Sequence, residues 1–349
     1  MWAYRFRAAI ALATTSLVAG APVATVAEAQ DETGYLSFVA QLRAQAEAQG
    51  VSSATLNAVM PTLYFSQRVI DLDRAQPGGP PNAPIPKFAP YAAQHVDSAR
   101  ISRGQKKYRE LRGLLGKVEQ ETGVPEAMMI AIWGHETNYG AYTGDFDLAN
   151  ALATLAYEGR RRTLFATEFV ATLKLMDKGV PRQQLKGSWA GATGYPQFLP
   201  STYLRYGRDG DGDGRADIWA NNADALASIA NYFVNSGWRR GIPWGVKAAV
   251  PESLDRSVLR ARTVPPRCPR VHDRHSQWKT IGEWRSLGVI PLEGKGLREF
   301  DLASLLEPDG PNATAYLLTG NYRVILEYNC SNFYALSVGL LADEVEKNY

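Results

Sequence analysis

Two sets of acidic residues in this 349-residue chain stand where they could do chemistry. The first is a single carboxyl, Glu136, inside Gly134-His135-Glu136-Thr137-Asn138-Tyr139-Gly140. It follows an almost wholly apolar run, Ala127–Trp133, so a buried helix would deliver it to the point where the chain turns at Gly140. Burial disfavours the charged form of a carboxyl. A group that holds its proton near neutral pH can serve as a general acid, for instance toward a glycosidic oxygen. A glutamate near a helix end is also a common cap or solvated charge, so the reading depends on its surroundings. Residues 186–200, KGSWAGATGYPQFLP, are rich in glycine, aromatic and small polar side chains. Ser188 and Gln197 offer hydrogen bonds, and Tyr195 and Phe198 offer ring faces. Such a loop suits a groove for sugars; an ordinary structural turn is the alternative.

The second set is Asp209-Gly210-Asp211-Gly212-Asp213-Gly214-Arg215. Acids at positions 1, 3 and 5, glycine at 6, and a backbone carbonyl from Arg215 at 7 make the first half of an EF-hand loop. Position 12 is Ala220, so the bidentate glutamate is missing. The competing reading is an acidic, solvated turn.

The elements that must position these groups are mainly helical. Tyr35, Phe38, Val39 and Leu42 share one helical face, and Ser52 or Ser53 could cap a second helix with Leu56 and Val59 inward. Ala75–Lys87 is Pro- and Gly-rich and predicts an extended connection. Helices are expected at Gln105–Gln120, after Pro125, and at Asn150–Tyr157, Leu164–Met176 and Ala223–Phe233. Beyond Gly241, VKAAV, YLLTG and YRVILEYN have strand character, and Phe333–Tyr349 is helical again. These elements define an α+β chain, mainly α. Expected divisions are a leader at 1–29, an N-terminal helical segment and connection at 30–99, a core at 100–240, a small β-containing subdomain at 241–325 and a return to the core at 326–349.

Arg5 and Arg7, an apolar run over Ala8–Val26 and Ala27-Glu28-Ala29 together form an export signal with its cleavage site. No cysteine precedes Cys268, which excludes lipid attachment at that site, and no later apolar run would anchor the mature chain in a membrane. Export makes Cys268 and Cys330 a candidate disulfide; two buried thiols are the alternative. The formal net charge, +3, is too small to imply nucleic acid and is compatible with an anionic wall polymer.

Four ordered stretches, GHETNYG, ALATLAYEGRR, KGSWAGATGYPQFLPSTYLRYGRDGDGDG and EYNCSNFYA, closely resemble the lytic murein transglycosylase B family. The resemblance spans about residues 35–345 and is densest over 124–240. It implies a lysozyme-like helical core acting on peptidoglycan glycan strands. The bond cut would be the β-1,4 link between N-acetylmuramic acid and N-acetylglucosamine, with the muramyl O6 closing onto C1 to leave a 1,6-anhydro end. Carried over by position, Glu136 is the single acid/base. Ser188 and Gln197 contact the glycan, Arg161 and Arg162 hold its substituents, and Tyr232, Tyr328, Asn329 and Tyr334 line the cleft, with Tyr91 as a further groove aromatic. Pro196 stands where the family often has glycine. Asp224 is implied as the closing ligand for a structural Ca²⁺ held with Asp209, Asp211, Asp213 and Arg215; no organic cofactor is implied. A hydrolysing muramidase and a non-catalytic wall-binding protein remain as alternatives: the first would use a second carboxylate, and the second would lack the acid.

Overall fold

A computed structural model describes residues 26–76, 86–261, 267–292 and 296–347, with side chains from residue 33 onward. Most of the expected leader and most of the Pro-rich connection lie outside the described residues. The chain divides into two compact units.

The first unit comprises the chain up to Gln76 together with 146–185 and 189–191. It holds helices α1 (Val26–Ala48), α2 (Ser53–Val59), α3 (Gln67–Arg74), α8 (Leu148–Glu158) and α9 (Arg162–Asp177). The predicted face of α1 is buried at Tyr35, Phe38, Val39 and Leu42. Tyr35 and Phe65 each meet the Tyr157 ring edge-on, centroids 5.4 and 5.8 Å away. Ser52 caps α2, accepting the amide of Thr55.

The second unit holds α4 (Phe88–His95), α5 (Ser98–Glu110), α6 (Arg112–Thr122), α7 (Glu126–Thr137), α10 (Pro200–Tyr206), α11 (Asn222–Asn235), α12 (Pro269–His272), α13 (Ile281–Ser286), α14 (Gly320–Tyr328) and α15 (Asn332–Glu346). Helix α7 is its axis. Every side chain from Ala127 to Trp133 is buried, and α5, α6, α11 and α15 pack around it, as an all-apolar helix requires. The stretch 100–240, expected as one core, is thus shared between the two units.

Besides the two-residue strands β1 (Phe146–Asp147) and β2 (Lys186–Gly187), there is one larger sheet. It runs β4 (Lys279–Thr280), β6 (Leu302–Leu306), β7 (Ala315–Leu318), β3 (Gly245–Ala249), β5 (Ile290–Pro291), antiparallel throughout. Trp284 is fully buried in its small core and donates its indole N–H to the Ala303 carbonyl at 3.0 Å. VKAAV and YLLTG supply β3 and β7 as expected.

Two expectations fail. YRVILEYN is helix α14, not a strand. Thr319 caps it by accepting the Asn321 amide, and buried Asn321 spends its side-chain amide on the carbonyls of Arg239 and Ile242. The inward residues, Tyr322, Val324, Ile325 and Leu326, fit a helical stripe better than alternation. The helix expected over Gln105–Gln120 breaks at Leu111 (φ −109°, ψ 11°) into α5 and α6.

Candidate active site

Helix α7 ends abruptly just beyond Glu136. Asn138, Tyr139 and Gly140 all take positive φ, 51°, 60° and 87°, and reverse the chain. The Tyr139 ring folds back over Gly134, where a Cβ would come within 2.6 Å of it, and its hydroxyl donates to the Arg100 carbonyl at 2.9 Å. The Thr137 hydroxyl donates to the Tyr195 carbonyl at 3.2 Å and accepts the Gly140 amide at 3.0 Å. A side chain at Gly140 would meet the Tyr195 ring. The residues flanking the glutamate therefore tie the helix end to the loop 192–198 and fix the carboxyl in place.

Among the described residues Glu136 has one hydrogen-bond partner: the Tyr334 hydroxyl of α15 donates to Oε1 at 2.6 Å. Burial pushes the carboxyl up to about 7, against the opposing pull of that hydrogen bond. No charged side chain contributes to its shift. Tyr334 and Tyr328 are held well above the usual phenol range, chiefly by burial and then by the negative Glu136 beside them. Tyr91 is pushed up to about 12 by the same two causes. Three phenols that stay protonated thus surround one carboxyl that keeps its proton near neutral pH.

Tyr328 donates to the Pro196 carbonyl at 2.5 Å. Tyr232, from α11, donates to the Glu327 carbonyl at 2.7 Å and meets the Tyr328 ring edge-on at 4.9 Å. Gln197 takes a left-handed φ of 50°, and its amide is held by the carbonyls of Thr143 and Gly194 at 3.1 and 3.0 Å. Ser188 closes its own turn, accepting the Ala192 amide at 3.0 Å and donating its own amide to the Ala192 carbonyl at 2.7 Å. The backbone of Gly187 lies against Gly144 on one side and Ala192 on the other, so these glycines serve backbone-to-backbone packing within the loop. Phe198, expected as a ring face for sugar, is only 3% exposed and belongs to the core. Asn329, half-buried, follows Tyr328 directly. Cys330 is bonded to Cys268, Cα–Cα 5.6 Å, which restrains the segment that carries Tyr328 and Asn329; closing this 62-residue separation stabilises by roughly 4 kcal/mol in the chain-entropy model.

One part of the site was not anticipated. His95 stacks on Tyr91 (3.8 Å between centroids) and on His135 (5.7 Å), and His135 meets Tyr334 edge-on at 5.4 Å. Burial holds both imidazoles below their usual range, so this ring stack behind the acid is neutral. The i, i+4 spacing of Tyr91 and His95 on α4 could have revealed that pair, though not its contact with His135.

The transglycosylase SLT domain family matches residues 34–343. The chain belongs to that family. It is a lytic transglycosylase. It is 30% identical over 270 residues to the membrane-bound lytic murein transglycosylase B of Escherichia coli K12, a match covering 76% of this chain and 69% of that protein. Its fold is similar to SltB3 of Pseudomonas aeruginosa in complex with NAG-anhNAM-pentapeptide, at TM-score 0.79 and 37% identity, covering 89% of this chain and 79% of that one. It is also similar to the E. coli lytic transglycosylase Slt35 in complex with calcium, at TM-score 0.70 and 26% identity, covering 90% and 93%. The expected lysozyme-like, mainly helical architecture is that of these transglycosylases.

In this lytic transglycosylase the arginine pair lies in the first unit. Arg161 is bound to the buried carboxylate of Asp73 at 2.7 Å, together with Arg160, while Arg162 reaches the Tyr157 carbonyl at 3.3 Å and covers the Phe38 ring. Arg161 is therefore already committed to an ion pair. Asp147, a neighbour of Glu136 in sequence, caps α8 and pairs with Arg182 at 2.8 Å.

The acidic loop is built around its own amides. Asp209 accepts the amides of Gly212 and Gly214 at 2.6 and 2.8 Å, which hold its carboxyl below the usual range. One oxygen each from Asp209, Asp211 and Asp213 lies within 4.8 Å of the others, a hard-oxygen set that fits Ca²⁺. Arg215 donates its amide to Asp213 at 2.8 Å. Asp224 is fully buried, and its two oxygens accept the amides of Gly210 and Asp217 at 2.8 and 2.7 Å. It thereby braces the two ends of the loop.

Proposed function

We propose that this chain cleaves the β-1,4 bond between N-acetylmuramic acid and N-acetylglucosamine in peptidoglycan, with Glu136 as acid and then base, in the periplasm. The observation that carries this reading is the uncharged enclosure of Glu136, whose carboxyl sits at about 7 with only a phenol to hold it. Its proton passes to the glycosidic oxygen as the C1–O bond breaks. The carboxylate left behind takes the proton of the muramyl O6 as that oxygen bonds to C1. No water is consumed, and no second carboxylate is needed to activate one. Tyr334 donates to the carboxylate formed in the first step and steadies it until the proton returns. Gln197, Ser188, Tyr232, Tyr328 and Asn329 are the proposed glycan wall.

The Asp209–Asp213 oxygens, with the Arg215 carbonyl, are the proposed seat of a structural Ca²⁺ remote from the proton transfers. The export signal is the support for periplasmic location; no helix among the described residues is long and apolar enough to cross a membrane. Digestion of purified sacculi in ¹⁸O water tests the chemistry. Unlabelled 1,6-anhydromuramyl ends are expected, and label at the new muramyl C1 would establish hydrolysis instead.

A further inference from the structure

A cavity of about 940 Å³ is lined by neither Glu136 nor any of the three phenols around it. It opens between α14, the end of α11 and the segment leading into β6. Its lining is basic and aromatic. Four arginines reach it. Two are neutralised locally: Arg298 by Asp301 at 2.8 Å and Arg267 by Glu327 at 2.8 Å. The other two, Arg239 and Arg323, have no carboxylate partner among the described residues. Arg323 lies over the Trp278 ring at 4.5 Å, and its buried Nε has no hydrogen-bond partner. Phe300 and Leu302, 66% and 54% exposed, add apolar surface to the same lining.

A guanidinium stacked on an indole is held in one plane, and its planar fork fits a carboxylate through two parallel hydrogen bonds. A part-buried positive charge with no carboxylate beside it favours an anion. The exposed aromatic and aliphatic surface beside it calls for a ligand that also carries apolar groups. Nucleic acid is a poor fit, because a strand follows a continuous basic track and this is a bounded cavity.

We propose that this cavity is a second binding site, for a carboxylate-bearing peptide of the kind that hangs from wall glycan. That the peptide is a wall stem rests on the function proposed above; the carboxylate chemistry rests on the cavity alone. The site shares α14 with the active-site wall: Arg323 and Glu327 face the cavity, and the Glu327 carbonyl accepts from Tyr232. A peptide held there would tether a strand beside the cleft without touching the reacting bond.

Calorimetric titration of the full mature chain with free stem tetrapeptide, released from sacculi by an amidase, tests the proposal. Inorganic phosphate is titrated in parallel. The peptide should bind, and Arg239→Gln/Arg323→Gln should weaken it by about tenfold or more, while cleavage of peptide-free glycan strands stays unchanged. Arg239→Gln alone, at an exposed side chain, carries the test should the double variant fail to fold; it too should weaken the peptide. Equal affinity in variant and parent overturns the site, and so does phosphate binding as tightly as peptide. An enzyme that cleaves peptide-free strands normally but binds peptide independently of both arginines sinks this inference alone. One that binds peptide through them yet leaves every glycan intact sinks the functional reading alone.

Discussion

At the end of α7 a half-buried carboxyl is packed among rings and given a single phenolic donor. At Asp209 a half-buried carboxyl on an acidic loop is given backbone amides. The first is pushed up to about 7, the second is held below the ordinary aspartate range. The chemical group is the same, and the surroundings decide whether it keeps its proton or gives it up. Desolvation with no neighbouring charge favours the neutral acid, whereas amides that donate to the carboxylate favour the anion. Asp224 lies between the two: burial raises it and the amides of Gly210 and Asp217 oppose that shift. A loop that sets three carboxyl groups within 4.8 Å of one another, with amides holding Asp209 as the anion, has the donor set a hard divalent cation would use; a helix end that keeps one carboxyl protonated is suited to acid catalysis.

The comparison breaks most visibly at Glu136. Glu136→Gln should lower glycan cleavage by on the order of 10²–10⁴ while leaving the fold intact, because the amide oxygen still accepts from Tyr334 but has no proton to transfer. Turnover of purified sacculi measures it, and near-parental activity would remove Glu136 from the mechanism. At the other carboxyl set, Ca²⁺ at a hundredfold excess over its dissociation constant should stabilise the protein by about 2.7 kcal/mol. Asp209→Asn/Asp211→Asn should abolish that gain without changing the acid/base step. Thermal melts with and without chelator decide it, and a melting temperature indifferent to Ca²⁺ in metal-free parent protein would refute the site. The smallest effect sharpens the contrast. Glu136 acts first as an acid, so kcat/KM should fall as pH rises through about 7. The Tyr334 hydrogen bond favours the ionised form, so Tyr334→Phe should move that falling limb upward, by about one pH unit. A limb that stays in place, or moves down, would mean Tyr334 does not hold the carboxylate.

The acid was legible only in context: an apolar run can end in a capping glutamate, and it was GHETNYG followed by the glycine- and aromatic-rich loop KGSWAGATGYPQFLP that singled out Glu136. The cysteine pair was a candidate for a similar reason: export leaves few roles for two lone thiols. The sequence could not show how side chains spend their hydrogen bonds. Arg161 looks free in sequence and is bound to Asp73, eighty-eight positions away. Asp224 is fully buried and joins Gly210 to Asp217 through its two oxygens, a link the sequence does not show. Phe198 sits in a loop rich in glycine, yet that loop packs against the core. YRVILEYN has β-branched residues that favour a strand by local preference, but a threonine cap and a buried asparagine override it. The stack of Tyr91, His95 and His135 joins two helices about forty residues apart, a distance that no local pattern spans.

The central claim is that Glu136 holds its proton at neutral pH because of where it is buried. A ¹³C NMR titration of the glutamate carboxyl carbons, parent against Glu136→Gln, tests this most directly. The parent should show one carboxyl titrating near pH 7, and that resonance should vanish in the variant. A Glu136 signal that titrates near the ordinary glutamate value of about 4.3 would contradict the account.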